Sequence, residues 1–294
     1  MRHCLVLMLV ALLGACSALP PLPQWQASEG LDHPALGQIR DLHSGQLLEP
    51  RQLVRRLAAA ERVLIGERHD NPDHHALQLW LLQAMAQQRR QGSLLLEMLV
   101  PAQQPLVDQA RAAIADGQRP AELPARLDWS DGWPWSLYGP LAEYGLRQPG
   151  PLLAANLDRD EIGRLYRQPV ALSGARSTHP AVRDALGAQI RASHCGMLPE
   201  SQVPAMVAIQ QQRDRRMAER LLAAPAPALL LAGGFHVRRD LGVPQHLVDL
   251  GGAAQVLLLA EVGQAIDARQ ADFVWFTPAQ PQEDPCATFG KGRR

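Results

Sequence analysis

Four side chains stand where chemistry is easiest to build. Glu67 and His69 follow the apolar run Val63, Leu64, Ile65, Gly66. Glu97 follows Leu94, Leu95 and Leu96. His236 follows Leu229 to Ala232 and two glycines. A carboxylate ending an apolar run is costly to bury unless it is paired, and a histidine changes charge near neutral pH. Glu67, His69, Glu97 and His236 therefore suit general acid–base work, including activation of water, with or without a divalent metal. Asp70, Asp73, His74 and His75 enrich the first cluster, but it lacks His-Glu-x-x-His and any cysteine pair, so the spacing is not a standard zinc pattern. Asn71 to Asp73 also read as the cap of the next helix. Gly-x-Ser-x-Gly, a P-loop and Gly-x-Gly-x-x-Gly are absent, which weakens a serine-hydrolase or nucleotide reading.

A second constellation is aromatic. Trp129, Trp133 and Trp135 fall within seven residues, just before Tyr138 and Tyr144. Such a cluster either plugs a core or forms an apolar patch for a partner or a flat ligand. Tyrosine ligates ferric haem, and arginine suits carboxylate groups such as propionates. The chain has only three tyrosines, so a function needing one must choose among Tyr138, Tyr144 and Tyr166.

These residues need elements that bring strand ends together. Short apolar runs at 63–66, 94–97, 152–156, 228–232 and 255–261 read as buried strands, with 273–276 as a further candidate. Helical periodicity fills much of the sequence between them: 50–60, 73–91, 102–115, 136–147, 158–167, 180–190 and 201–223. Apolar strands alternating with amphipathic helices predict an α/β fold with a mostly parallel central sheet flanked by helices. In such sheets ligands gather at the carboxyl ends of the strands. Glu67, His69, Glu97, Asn156 and His236 would then share one edge.

The 294 residues carry 29 basic and 29 acidic groups. Zero net charge without a basic run argues against nucleic-acid binding. The start, MRHCLVLMLVALLGAC, has a positive residue, a short apolar stretch and small residues before Cys16. It reads as a lipoprotein signal peptide over 1–15, with lipidation of Cys16. Residues 16–35 read as a membrane tether, 36–278 as one α/β domain and 279–294 as a loose tail. After processing, Cys195 and Cys286 are the remaining thiols. Their pairing is left open by a separation of 91 residues.

At this point a resemblance is specific. Val63 to Gln78, Leu96-Glu97-Met98, Ser193 to Pro199 and Gly233 to Pro244 resemble, in order, segments of the ChaN-like haem-binding lipoproteins. The resemblance implies the fold of the wider Tiki and erythromycin-esterase superfamily. It implies a non-catalytic, lipid-anchored outer-membrane protein of haem uptake, with haem as ligand and a haem receptor as partner. It further implies a haem-dependent homodimer in which a tyrosine of one protomer ligates iron and His and Lys of the other hold propionates. Three tyrosines are candidates for the iron ligand: Tyr138 ranks first, Tyr166 second and Tyr144 third. Trp133 and Trp135 would add apolar contact. The single lysine, Lys291, lies in the tail, so a propionate clamp falls to Arg68, Arg238, His69 or His236. The alternative is a periplasmic hydrolase using Glu67, His69, Glu97 and His236.

Overall fold

The computed structural model describes residues 19–281 and Cys286. The expected signal peptide, Cys16 and Lys291 lie outside the described residues. Eight strands form one sheet: β1 (Ile39–Asp41), β2 (Leu47–Leu48), β3 (Arg62–Glu67), β4 (Ser93–Leu96), β5 (Leu152–Ala154), β6 (Ala228–Gly233), β7 (Gln255–Glu261) and β8 (Phe273–Thr277). Their order is β2-β1-β8-β7-β3-β6-β4-β5. From β8 to β5 all neighbours are parallel, while β1 pairs antiparallel with both β8 and β2.

The helices follow the chain as α1 (Pro50–Ala59), α2 (Pro72–Ala86), α3 (Gln104–Ala115), α4 (Leu123–Arg126), α5 (Trp135–Arg147), α6 (Arg159–Arg167), α7 (Pro180–Ser193), α8 (Val203–Ala223), α9 (Gly234–Val237) and α10 (Val243–Asp249). They cover both faces of the sheet. Successive strand residues point to opposite faces, and the two cores divide accordingly. Val63, Ile65, Leu229 and Leu231 pack with Leu53, Leu81 and Leu141 of α1, α2 and α5. Leu64, Leu230 and Ala232 pack with Met217, Val237 and Leu247 of α8, α9 and α10. A strand apolar on both faces has no alternation to read, which is why these strands appear as unbroken runs of Leu, Val and Ile.

The parallel strands form where the sequence predicts them. The hairpin of β1 and β2 was not anticipated, because three- and two-residue strands carry too little pattern. Within the segment read as a membrane tether, Pro20, Gln26 and Ala27 contact α2. Trp80 Nε1 donates to the Pro20 carbonyl (2.9 Å), and Gln26 and Ala27 N–H groups donate to the Asp73 carboxylate (2.8 and 3.0 Å). At the other end, Cys195 and Cys286 form a disulfide.

Candidate functional site

The sheet brings the ends of β3, β4, β5 and β6 to one edge, and the predicted acid–base residues meet there. Glu67 is the last residue of β3. Its Oε1 accepts from His69 Nδ1 at 2.6 Å and from the Tyr138 hydroxyl at 3.1 Å. Glu67 is buried, and its Oε2 has no partner among the described residues. Half of the His69 side chain is open to the cavity. Its Nε2 edge lies against Gly233, where a Cβ would stand 2.9 Å from Nε2 and 2.6 Å from Cε1. Only glycine admits that approach. Burial opposes the charge on His69, but the Glu67 carboxylate outweighs it and raises the imidazole above its ordinary value.

Glu97 and His236 make the second pair. The Gly233 N–H donates to Glu97 Oε2 (2.7 Å), and His236 Nε2 stands 3.2 Å from Glu97 Oε1. His236 Nδ1 is 2.5 Å from Asp214 Oδ1 on α8. All three side chains are buried. Burial opposes the His236 charge, yet the two flanking carboxylates push it up to about 10. Burial likewise opposes Glu97, yet His236 holds it down to about 2. At Asp214 burial dominates and pushes it up to about 6. Asn156, at the end of β5, donates to the Glu97 carbonyl (3.0 Å) and steadies that turn.

Sequence reasoning missed Asp214 as a site residue. It had a signal: an acid on the buried stripe of α8, between Val207 and Met217, Ala218 and Leu221. His74 and His75 take structural roles. His74 is fixed between the Arg68 N–H and the Thr277 hydroxyl, and burial keeps it neutral. His75 Nε2 donates to the His69 carbonyl (3.0 Å). Asn71 caps α2, as its spacing predicts. Among the described residues, no three His, Cys, Asp or Glu side chains converge to hold a metal ion.

The tryptophans roof this site. Trp133 sets its ring edge-on to His69 at 4.9 Å and to Tyr138 at 5.4 Å. Trp135 packs edge-on against Trp129 on the outer side. Of the two readings of the cluster, packing describes it better than an open patch.

The cavity under this roof holds about 1490 Å³. Through Arg159, Ile162, Gln189, Gln210 and Arg213 it shares a wall with a second groove of about 550 Å³, within the roughly 300–1,000 Å³ usual for small-ligand sites. Ile162, Ile190, Met206 and Ile209 give this groove apolar walls, and no carboxylate lines it. Tyr166 stands in it, 40% exposed and without a hydrogen bond among the described residues. The other tyrosines differ. Tyr138 is fully buried beneath Trp133, and burial plus the Glu67 charge pushes its phenol far above the ordinary value. Tyr144 donates to the Leu82 carbonyl (3.1 Å) on the opposite layer. The arginines singled out from sequence are also committed: Arg68 to Asp70 and Glu261, Arg238 to Asp240.

A family described as "Haem-binding uptake, Tiki superfamily, ChaN" matches residues 53–247. The chain belongs to this family. Among solved structures, ChaN of Campylobacter jejuni with cofacially bound haem is 30% identical, with a TM-score of 0.74, covering 81% of this chain and 95% of that one. Two weaker likenesses are the Vibrio vulnificus toxin effector domain RRSP (16% identity, TM-score 0.46, covering 81% and 39%) and an erythromycin esterase, EreC (13%, 0.46, covering 89% and 85%). At these scores the likeness says nothing about activity. Comparison with curated protein sequences gave no match. For this ChaN-family chain, the α/β sheet flanked by helices is thus shared with a relative of nearly the same extent.

Proposed function

We propose that this chain binds haem without turning it over, with Tyr166 as the ligand to ferric iron, and serves haem or iron uptake. The observation that carries this reading is the α6–α8 groove: apolar walls, one exposed phenol and arginines with no acid among its lining residues. A ferric ligand must present a free oxygen able to lose its proton. Tyr138 and Tyr144 are each committed to a protein acceptor, whereas Tyr166 is accessible. The groove is open on one side, so one face of a bound porphyrin would stay uncovered. A second protomer presenting its own haem would cover it, in keeping with the cofacial haems of the Campylobacter relative. Lipidation at Cys16 and an outer-membrane location complete the proposal, with a haem receptor as partner. No helix among the described residues is long and apolar enough to cross a membrane.

Titration with haemin tests the reading. The intact chain should develop a high-spin ferric spectrum with oxygen ligation, and sedimentation should show dimers forming with haem. Tyr166→Phe should abolish that spectrum, while Tyr144→Phe leaves it in place. An unchanged spectrum in Tyr166→Phe sinks the ligand assignment.

One observation favours a second activity at the strand-end edge. Glu67 Oε2 is buried and unpartnered, and the half-exposed His69 side chain lines the strand-end cavity, a pairing that haem ligation by Tyr166 does not use. In this reading Glu67 holds the His69 Nδ1 proton, and Nε2 takes a proton from water as the water oxygen bonds to a substrate carbonyl carbon. The tetrahedral intermediate then collapses, its bond to the leaving group breaks, and the imidazolium returns the proton to that group. A panel of esters and peptides would reveal turnover that is lost in His69→Ala and kept in Tyr166→Phe. No turnover on any member of the panel leaves the cluster a structural one.

A further inference from the structure

We infer that Arg213 of α8, together with Arg159 of α6, is the anion clamp of the Tyr166 groove and takes the rim carboxylates of a planar tetrapyrrole from within the same chain. The inference rests on the haem reading and assigns the part of it that the chain's missing lysines leave open.

The argument begins with which guanidiniums are free. Along α8, Arg215 pairs with Glu219, Arg216 with Glu161, and Arg220 donates to the Ala154 carbonyl. Arg213 makes no ion pair or hydrogen bond among the described residues, and its Nε is shielded from solvent with no acceptor. A buried donor left unmade is expensive, so its retention calls for a partner that arrives. The adjacent Asp214 attracts Arg213 by charge alone: no hydrogen bond or ion pair joins the two among the described residues, and Asp214 Oδ1 faces His236. Arg159 is likewise without an ion pair or hydrogen bond among the described residues, and it is exposed.

Position gives the second line. Arg159 and Arg213 line both the strand-end cavity and the groove, so they stand at the waist between them. On α6, Arg159 and Tyr166 are seven residues apart, two helical turns on one face. At 1.5 Å per residue their Cα atoms are separated by about 10 Å along the axis. A phenol and a guanidinium so placed suit a flat ring held at its centre with carboxylates on its rim. Guanidinium is permanently charged and offers a planar fork matching a carboxylate, which a lysine does not.

Two porphyrins separate the possibilities: haemin, and ferric protoporphyrin dimethyl ester, whose carboxylates are masked. Arg213→Gln should weaken haemin about tenfold or more, and Arg159→Gln should weaken it further in combination. Both variants should leave the dimethyl ester affinity, the position of the Soret band and the urea midpoint at the parent's values. Arg238→Gln, which frees Asp240 and the Phe235 ring outside the groove, should leave haemin and dimethyl ester affinity and the Soret band unchanged. Equal loss for both porphyrins would make Arg213 a structural residue and overturn the clamp, as would undiminished haemin binding in the double variant. Failure of the parent to give a Tyr166-dependent spectrum would instead overturn the haem reading itself.

Discussion

Replacing His236 with leucine is expected to destabilise the domain by about 3–5 kcal/mol, because it strands two buried carboxylates without their cation. Glu97 and Asp214 are both buried, and each contacts one ring nitrogen of His236. Asp214→Asn should cost less, since the Glu97 pair survives it. Urea unfolding gives both numbers, and a His236→Leu midpoint equal to the parent's would mean that the three groups are neutral when folded. The same site sets a pH limb. His236 is raised from its ordinary 6.5 to about 10, so its contribution is fully present below pH 6.5 and is lost as pH rises toward 10. Glu97 is depressed to about 2, so its contribution is present above pH 4.5 and is lost as pH falls toward 2. Parent stability should therefore sag on the alkaline side, and His236→Leu should lack that sag.

Gly66→Ala is the second large effect expected, at about 1–3 kcal/mol from overpacking alone. A Cβ there would lie 2.2 Å from Val237 Cγ2, 2.7 Å from Leu258 Cδ2 and 3.0 Å from the Gly234 Cα. The last is backbone and cannot swing aside. Relief must come from shifting α9 off β3, and α9 carries His236. The variant should thus lose stability and also weaken the His236–Glu97 contact, visible as a smaller alkaline sag than the parent's. Full parental stability in Gly66→Ala would show that α9 has slack in its packing on β3.

Much of the fold was legible because strands buried on both faces must be apolar throughout, and helices between them must show a stripe. That logic found β3, β4, β6 and β7, and it placed Glu67, Glu97 and His236 at one edge before any contact was seen. It could not find β1 and β2, which are shorter than a readable period. It could not tell an available tyrosine from a committed one. Tyr138 sits in a helix with a plausible neighbourhood, and only the folded chain reveals Glu67 and Trp133 closing over it. The arginines obey the same rule. Arg68 and Arg238 look free in sequence because spacing alone does not show that each folds back on the acid two residues on, Asp70 and Asp240, or that Glu261 reaches Arg68 from β7. The Cys195–Cys286 bridge was equally out of reach, since 91 residues of separation say nothing of distance.

The docked N-terminal segment has a consequence for where this protein can go. If the chain is anchored through Cys16, only four residue steps lead from that anchor to Pro20, which Trp80 grips. Four residues span at most about 14 Å when fully extended. A domain on so short a leash would patrol almost no volume and would stay close to the bilayer that held it. Haem would then have to be handed over at the membrane surface, and a soluble carrier or receptor loop would have to come to it.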